Sequence, residues 1–237
     1  MPKRKVNKVE EQSITSMVDH FTTNRHLFEN FANALMGYLQ NYAPLREQIQ
    51  FIKHRIKDPE HLRDKLKRKA DEAKCKGKPM EIDASNLFES ITDLAGIRII
   101  HLHTEQFRAI HPSILTILDE QQLRLIEQPT AYCWDNEYKE FFESLGIRTD
   151  AKPSMYSTVH YVIEANTKTK ITCELQVRTL TDEVWGEVSH RVNYPHESPS
   201  MSCREQLKVL ARFTTGCTRL VDSIFQSHSE APSKSSK

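Results

Sequence analysis

The segment Lys170-Ile-Thr-Cys-Glu-Leu-Gln-Val-Arg178 is the clearest strand in the sequence, because its apolar and polar residues alternate without a break. A period of two is that of a β-strand, in which successive side chains point to opposite faces of the sheet. One face of this strand is therefore apolar, and the other carries Glu174, Gln176 and Arg178. The same alternation fits a plain solvent-exposed sheet face. A carboxylate, an amide and a guanidinium in one row also suit a nucleotide and its metal ion.

The segments on either side predict a sheet with helices around it. Short β-branched or apolar runs predict strands at 97–102, 123–126 and 159–164, and a turn at 166–168 joins the last of these to 170–178. Apolar residues at helical spacing, with Asp58-Pro59 as a helix start, predict helices at 14–39, 58–73, 113–120, 136–145, 182–191 and 203–225. Pro44 is expected to open a turn or helix that continues through Ile49 and Ile52. The expected fold is α/β (α+β), with a mixed β-sheet of about five strands flanked by helices.

The composition is that of a folded globular protein, with 237 residues of which 38% are hydrophobic and 27% are charged. No apolar run in the sequence approaches the roughly 18 residues that a membrane-spanning helix requires. The five cysteines include no close pair, so neither a disulfide framework nor a zinc knuckle is indicated. A cytoplasmic protein with reduced thiols is expected.

The net charge of +1 hides an uneven distribution of charge along the chain. Residues 1–80 hold 17 Lys+Arg against 10 Asp+Glu, a balance of +7, and residues 81–237 hold 16 against 22, a balance of −6. The basic excess is concentrated between Lys53 and Lys78. Such a run is typical of a solvated helix face, and it also fits a binding site for a polyanion such as a nucleotide or a nucleic acid.

The segment Asp93-Leu-Ala-Gly-Ile-Arg98 places a carboxylate directly before a predicted strand and a guanidinium within that strand. A carboxylate at the edge of a sheet can hold Mg²⁺, and an arginine close by can bind phosphate or stack on a base. A turn aspartate in a salt bridge with Arg98 explains the same residues equally well.

Two more segments carry candidate chemistry. Arg55-Ile-Lys57 is followed by a helix on which His61, Lys65 and Arg68 share one face at spacings of i, i+4 and i+7. Cationic hydrogen-bond donors on two adjoining segments would suit a triphosphate. Tyr156-Ser-Thr-Val-His160 opens a predicted strand with a ring that could stack on a base and a histidine that could reach phosphate. A core tyrosine and a hydrogen-bonded core histidine are the alternatives.

Taken in order along the chain, these segments match a known pattern. The pattern consists of Arg55-Ile-Lys57, the Lys/Arg helix, Asp93-Leu-Ala-Gly-Ile-Arg98, Tyr156-Ser-Thr-Val-His-Tyr161, Glu174-Leu-Gln-Val-Arg-Thr179, Trp185-Gly-Glu-Val-Ser-His190 and Tyr194. The sequence resembles the synthetase domain of the RelA/SpoT family of alarmone synthetases, which transfer pyrophosphate from ATP to the 3′-hydroxyl of GDP or GTP. The resemblance runs from about Lys53 to Tyr194. It implies a small, synthetase-only member with a nucleotidyltransferase-like fold.

On the ATP side, the resemblance implies that Arg55 and Arg98 sandwich the adenine with their planar cations. The phosphates would be bound by Lys57, Lys65 and Arg68, with His61 beside them. Asp93 and Glu174 would hold Mg²⁺, the implied cofactor. Glu174 would also help to deprotonate the attacking 3′-hydroxyl.

On the acceptor side, the resemblance implies that Tyr156 stacks on guanine and that His160 contacts the phosphates. Gln176 and Arg178 would support this face of the sheet, and Glu183 would lie at the guanine.

Three positions depart from the family pattern. Met155 stands where many members have glycine before the tyrosine, and His61 stands where serine is usual. Glu183 occupies a position at which members that bind guanine often carry Asn or Asp. The departures therefore concern the acceptor loop, one phosphate contact and the recognition of guanine.

The resemblance also divides the chain and leaves other functions open. The expected regions are an N-terminal helical region (1–52), a synthetase core (53–194), a C-terminal helix (195–226) and a disordered tail (227–237). A homo-oligomer fits, because small relatives often assemble, whereas neither a membrane nor DNA is an expected partner. One alternative is a toxic enzyme that pyrophosphorylates the 3′ CCA end of tRNA or makes an adenosine alarmone, for which Lys3–Lys5 and Lys74–Lys78 could serve RNA. The other is an inactive nucleotide-binding sensor.

Overall fold

The computed structural model of the chain describes residues 8–151, 155–193 and 197–230. Seven strands lie in these residues: β1 (Phe51–Ile56), β2 (Ala95–His101), β3 (Arg124–Leu125), β4 (Thr130–Tyr132), β5 (Arg148–Asp150), β6 (Thr158–Glu164) and β7 (Thr172–Thr179). The same residues form the helices α1 (Lys8–Asn41), α2 (Ala43–Arg46), α3 (Pro59–Cys75), α4 (Leu87–Ser90), α5 (Phe107–Glu120), α6 (Asn136–Ser144), α7 (Leu180–Asn193) and α8 (Met201–Glu230). A short 3₁₀ helix covers Thr104–Gln106.

The strands form one mixed sheet in the order β1-β2-β7-β6-β4-β5, and β3 pairs with the last residues of β6. β2 is parallel to β7 and β4 is parallel to β5, whereas the remaining pairs are antiparallel. The expected fold, a mixed sheet flanked by helices, is confirmed. Each of the four predicted strand segments overlaps an observed strand, and the corresponding ends differ by at most two residues.

The expectation of about five strands is too low, because β1, β4 and β5 carry almost no strand signal. β1 is an edge strand with Lys53, His54 and Arg55 in its centre, and none of its residues is fully buried. The expected turn or helix through Ile52 is therefore wrong, since α2 ends at Arg46 and β1 begins at Phe51. β4 and β5 have three residues each and form through pairing with each other and with β6.

The register of the sheet brings polar residues of four strands onto one face. Residues paired across neighbouring strands share a face, so rows of partners stand side by side. One row is Arg55, Gly96 and Glu174, and the next is Lys53, Arg98, Gln176 and His160. The sequence-predicted row on β7 thus continues sideways across β2 onto β1.

The opposite face of the sheet is the hydrophobic core. Ile97, Ile99, Leu175 and Val177 are buried there in one cluster with the apolar side of α1. α1 contacts β1, β2 and β7, and its Phe21 is fully buried. Burial of such a side chain contributes about 1.5–3 kcal/mol, so α1 is an integral layer of the fold.

The start of α3 follows the prediction. The side chain of Asp58 accepts hydrogen bonds from the backbone N–H groups of Glu60 and His61, and Pro59 is the first helical residue. Such a cap contributes about 1 kcal/mol and fixes the direction in which the helix leaves β1. With Leu62 and Leu66 buried, the opposite side of α3 presents its basic residues.

The C-terminal helix is longer than expected. α8 runs from Met201 to Glu230, so residues 227–230, expected to belong to a disordered tail, are helical. The rest of the expected tail, 231–237, lies outside the described residues, as do 194–196 with Tyr194. Among the helices of the described residues, none combines the length and the apolar character needed to cross a membrane.

Candidate active site

A cavity of about 250 Å³ opens on the polar face of the sheet, beside α7. Five of the predicted site residues form part of its wall: Arg55, Asp93, Arg98, Glu174 and Gln176. They come from β1, the loop before β2, β2 itself and β7. Three separate sequence segments therefore meet around one space.

Asp93 is held between two lysines. Its Oδ2 accepts a hydrogen bond from Nζ of Lys57 at 2.7 Å, and its Oδ1 accepts one from Nζ of Lys65 at 2.8 Å. Burial alone would raise the pKa of this carboxyl, but the two ammonium groups outweigh burial and lower the pKa to about 2. Asp93 is thus an anion at neutral pH, and it pairs with these lysines rather than with Arg98.

Glu174 faces two partners on the polar side of the sheet. Its Oε1 lies 2.6 Å from Nδ1 of His160 and accepts a hydrogen bond from Nε2 of Gln176 at 2.7 Å. Burial would raise the pKa of Glu174, but His160 and Gln176 outweigh it and hold the pKa below its ordinary value. An ionised carboxylate in this place can accept a proton or ligate a cation.

Arg98 is fixed by partners from β7 and α7. Its Nη1 donates to Oε1 of Glu187 at 2.8 Å and to Oε1 of Glu183 at 3.2 Å, and its Nε donates to Gln176 at 3.2 Å. Lys53 of β1 pairs with the same two glutamates. Burial would raise the pKa of Glu187, but its hydrogen bonds from Arg98 and Lys53 lower the pKa to about 2. The guanidinium is therefore held in one orientation at the cavity wall.

Tyr156, which precedes β6, and Arg178 of β7 form a second group outside the cavity wall. The Tyr156 hydroxyl donates to Oε1 of Gln176 at 3.4 Å and lies 3.5 Å from Nε2 of His160. The Arg178 guanidinium lies 5.6 Å from the centre of the Tyr156 ring, and its Nε lies 2.7 Å from a carboxylate oxygen of Glu183. Tyr156 is therefore connected to Glu174 through Gln176 and His160.

α7 passes close to this group because it carries a glycine. A Cβ at Gly186 would collide with the guanidinium of Arg178, and Arg178 is only 4% exposed. Burial lowers the pKa of Arg178, while Tyr156, Glu183 and Asp182 act in the opposite direction. The glycine thus allows α7 to lie directly over this buried cation.

Met155, before Tyr156, adopts a left-handed backbone conformation with a φ of 57°. Glycine reaches this conformation freely, whereas other residues do so at a cost of about 1–2 kcal/mol. Met155 therefore holds the conformation that glycine, the usual residue of the family pattern, favours.

The other predicted residues lie at different distances from the cavity. Lys57 and Lys65 reach it through Asp93, whereas His61 and Arg68 are exposed on α3, outside the cavity wall. Glu183 is buried beneath Arg98 and Arg178, in contact with cations of β1, β2 and β7.

Six residues of the cavity wall were not predicted as site residues, and four of them carry polar or charged side chains: Lys53, His54, Glu187 and His190. Lys53 lies two residues before Arg55 on the same strand, so the strand period would have found it if β1 had been predicted. Glu187 and His190 belong to the quoted segment Trp185–His190. Burial lowers the pKa of His190, and the charges of Arg55, Arg98 and His61 lower it further against the opposing effect of Glu187.

The cavity offers carboxylate oxygens as ligands for the expected metal ion. Among the described residues, no group of three or more His, Cys, Asp or Glu side chains could hold a metal ion. Asp93 and Glu174 supply carboxylate oxygens to one cavity. Mg²⁺ is usually held by one or two carboxylates together with substrate phosphates and water. The two residues therefore fit an Mg²⁺ ion that arrives with a nucleotide.

The comparison with known protein families assigns the chain. The family model described as "Region found in RelA / SpoT proteins" matches residues 54–199. The chain belongs to the RelA/SpoT family. The match begins within β1 and contains every predicted site residue, so the resemblance drawn from the sequence motifs is confirmed.

One curated relative is the GTP pyrophosphokinase YwaC of Bacillus subtilis (strain 168). It is 25% identical to this RelA/SpoT chain over 151 residues, which are 62% of this chain. The match spans 59% of the length of YwaC.

Solved structures of RelA/SpoT type share the fold. A GTP pyrophosphokinase family protein from Streptococcus pneumoniae superimposes with a TM-score of 0.58 at 20% identity, covering 87% of this chain and 92% of that one. Small alarmone synthetase 1 from Bacillus subtilis, bound to its product pppGpp, superimposes with a TM-score of 0.61 at 17% identity, covering 88% and 98%. At these identities the likeness establishes the fold of the chain.

Proposed function

We propose that this chain transfers pyrophosphate from ATP to the 3′-hydroxyl of GDP or GTP. The observation that carries the proposal is the meeting of two ionised carboxylates, Asp93 and Glu174, with Arg55 and Arg98 around one cavity. The name of YwaC, GTP pyrophosphokinase, supports the same reaction, as do the relatives' structures with pppGpp and with AMPCPP. We infer the cytoplasm as its compartment, because ATP and guanine nucleotides are available there.

ATP, the pyrophosphate donor, would bind with its base between Arg55 and Arg98 and its phosphates toward Asp93. Lys57 and Lys65 already lie beside this carboxylate, so phosphate oxygens that arrive there meet two cations. Arg68 and His61, on the same helix, would extend this basic surface toward the outer phosphates. Neutralisation of phosphate charge is the main requirement of phosphoryl transfer, and fixed cations supply it without reorganisation.

Chemistry would occur at the β-phosphorus of ATP. The 3′-oxygen of the acceptor forms a bond to this phosphorus. The bond from the β-phosphorus to the oxygen that bridges it to the α-phosphorus breaks, and AMP leaves with that oxygen. The hydroxyl proton passes to Glu174, which is ionised and therefore able to receive it. Mg²⁺ held by Asp93 and Glu174 would add charge neutralisation on the phosphates.

The acceptor would bind on the other side of Glu174. Tyr156 offers a ring for the guanine and His160 lies between this ring and Glu174. Gln176 and Arg178 hold the tyrosine in place. Glu183 pairs with both Arg178 and Arg98, so we assign it a positioning role at the acceptor site rather than a direct contact with guanine.

A transfer assay tests the proposal. The chain is incubated with Mg²⁺, γ-labelled ATP and one acceptor at a time, either GDP, GTP, ATP or tRNA. Label in a guanosine product is the expected result. Label on tRNA or in an adenosine product would show that the acceptor is tRNA or an adenine nucleotide instead. No label with any acceptor would indicate an inactive nucleotide-binding sensor.

The first prediction concerns the general base in the same assay. Glu174→Gln keeps the shape of the side chain but removes the base, so the rate should fall by about 10²–10⁴-fold with an unchanged circular dichroism spectrum. Glu164→Gln is the matched control, because Glu164 ends β6 and pairs with Arg124 outside the cavity; its rate should stay at the wild-type level. Unaltered turnover of Glu174→Gln would contradict the assignment.

We also propose functional regions and an assembly. Residues 53–194 form the synthetase core, and 1–52 and 195–226 flank it; the described part of these flanks contains α1, α2 and most of α8. α8 carries an exposed apolar stripe of Val209, Phe213, Leu220 and Ile224, spaced to lie along one side of the helix. Exposed apolar stripes of this kind mark interaction surfaces, and a second copy of the chain is the partner that we infer.

A further inference from the structure

Glu187 is a carboxylate of the cavity wall to which the reaction above gives no task. Its Oε1 accepts hydrogen bonds from Nη1 of Arg98 at 2.8 Å and from Nζ of Lys53 at 3.3 Å. The hydrogen bonds that the described residues donate to Glu187 both end on this oxygen. The side chain is 43% exposed, so its Oε2 is available as an acceptor.

The cavity has a phosphate end and a base end. Asp93 and Glu174 lie at one end, with Glu174 opposite Gly96 of β2. Arg98 lies two residues further along β2, about 7 Å at the rise of a strand. Glu187 contacts Arg98 from α7. A nucleotide with its phosphates at the two carboxylates therefore brings its base to Arg98 and Glu187.

We propose that Glu187 selects adenine as the base of the donor nucleotide by accepting a hydrogen bond from its 6-amino group at Oε2. At this position adenine carries a donor, whereas guanine carries an oxygen acceptor, which a carboxylate repels. Lys53 could donate to that guanine oxygen, but it is engaged by Glu183 and Glu187. The two cations on Oε1 keep the carboxylate charged and fix the direction of Oε2.

The inference rests on the proposed function, since it names the group that would distinguish the donor from a guanine acceptor in the same reaction. A different role for Glu187 would be purely structural. In that case the carboxylate would only orient Arg98, and its loss would weaken every purine nucleotide equally. The two roles differ in one measurable quantity, which is the discrimination between ATP and an analogue that lacks the 6-amino group.

A double-mutant cycle between protein and ligand measures that quantity. Kd values are determined by calorimetry, without acceptor, for ATP and for purine riboside triphosphate, with the wild type and with Glu187→Ala. The wild type should bind the analogue about tenfold more weakly, equivalent to 1.4 kcal/mol. Glu187→Ala should bind both ligands with the same Kd to within about twofold. Glu205→Ala, an exposed change on α8, should keep the wild-type ratio.

Glu187→Gln retains an acceptor oxygen, so its preference for ATP should lie between those of the wild type and Glu187→Ala.

Two outcomes would contradict the inference. A tenfold preference for ATP that persists in Glu187→Ala would show that another group makes the discrimination. A wild type that binds both nucleotides equally would show that no such discrimination exists. Tight binding of ATP without discrimination overturns this inference alone, whereas failure of the wild type to bind either nucleotide overturns the proposed function as well.

Discussion

Asp93 and Glu174 stay ionised through different neighbours. Lys57 and Lys65 hold Asp93, whereas His160 and Gln176 hold Glu174, and in both cases these contacts outweigh burial. A carboxyl whose pKa is lowered by folding contributes stability above its unfolded pKa, and this contribution is lost as the pH falls through the folded pKa. Asp93 therefore stabilises the fold at neutral pH and ceases to do so between about pH 4 and pH 2.

Asp182, in the first turn of α7, behaves in the opposite way. It is buried and accepts a hydrogen bond from the Thr179 hydroxyl at 2.6 Å, yet burial raises its pKa to about 6. In the unfolded chain the same carboxyl loses its proton near pH 4. Its contribution to the free energy of unfolding therefore declines as the pH rises from about 4 to about 6.

Asp182→Asn should remove this decline, because the amide keeps the shape of the side chain and carries no charge to bury. The free energy of unfolding at pH 8 should increase by about 3 kcal/mol relative to the wild type, and the gain should be small at pH 4. Denaturant titration at both pH values measures it. Asp119→Asn, on the exposed side of α5, should show no such dependence, and an equal gain at both pH values would contradict the buried charge.

At the scale of elements, α7 organises the site from above the sheet. It supplies Glu183 and Glu187 to the cations of β1 and β2, and its Trp185 is anchored to α8 by a hydrogen bond from Nε1 to the carbonyl of Leu207 at 3.0 Å. Gly186 allows this helix to approach Arg178. The position of one helix thus sets the orientation of two arginines.

Gly186→Ala should therefore destabilise the fold, although alanine in a helix interior is ordinarily favoured over glycine by about 1 kcal/mol. The added Cβ meets the guanidinium of Arg178, whose side chain is buried and paired with Glu183, and overpacking of this kind costs about 1–3 kcal/mol. Gly37→Ala in α1, where a Cβ meets nothing within 4 Å, should stabilise by up to about 1 kcal/mol. Thermal unfolding of both variants measures the difference, and stabilisation by both would disprove the close contact.

At the scale of the whole molecule, charge and apolar surface are separated. The basic excess of residues 1–80 and the acidic excess of residues 81–237 meet at the cavity, as Lys57 with Asp93 and as Lys53 with Glu183. The apolar stripe lies elsewhere, on α8, where Phe213 is 73% exposed. None of the four stripe residues belongs to the wall of the cavity.

Phe213→Glu should convert the inferred assembly to monomers, because it places a charge in the centre of the apolar stripe. Light scattering coupled to size-exclusion chromatography should give a multiple of the 27.6 kDa chain mass for the wild type and the single mass for the variant. Glu205→Gln, at an exposed position of the same helix, serves as the control. A monomeric wild type at micromolar concentration would contradict the assembly.

Local patterns predicted much of this protein. The alternation of 170–178, the Asp58 cap and the spacing of His61, Lys65 and Arg68 each depend on neighbours within a few residues, and β7 and α3 form as those patterns indicate. Where the local pattern was weak, the sequence did not predict the strand. β1 is charged and lies at an edge, so its pairing with β2 rather than its own sequence makes it a strand.

The sequence by itself determined the family, the fold class and the residues that face the cavity from β2 and β7, because motif order and strand period are properties of short segments. Only the tertiary structure decided the partners of those residues. Asp93 pairs with Lys57, 36 positions away, rather than with Arg98, and Arg98 meets Glu187, 89 positions away. Such pairs are set by the order of strands and the placement of α7 over the sheet. No local pattern encodes this placement, because it results from the packing of the whole chain.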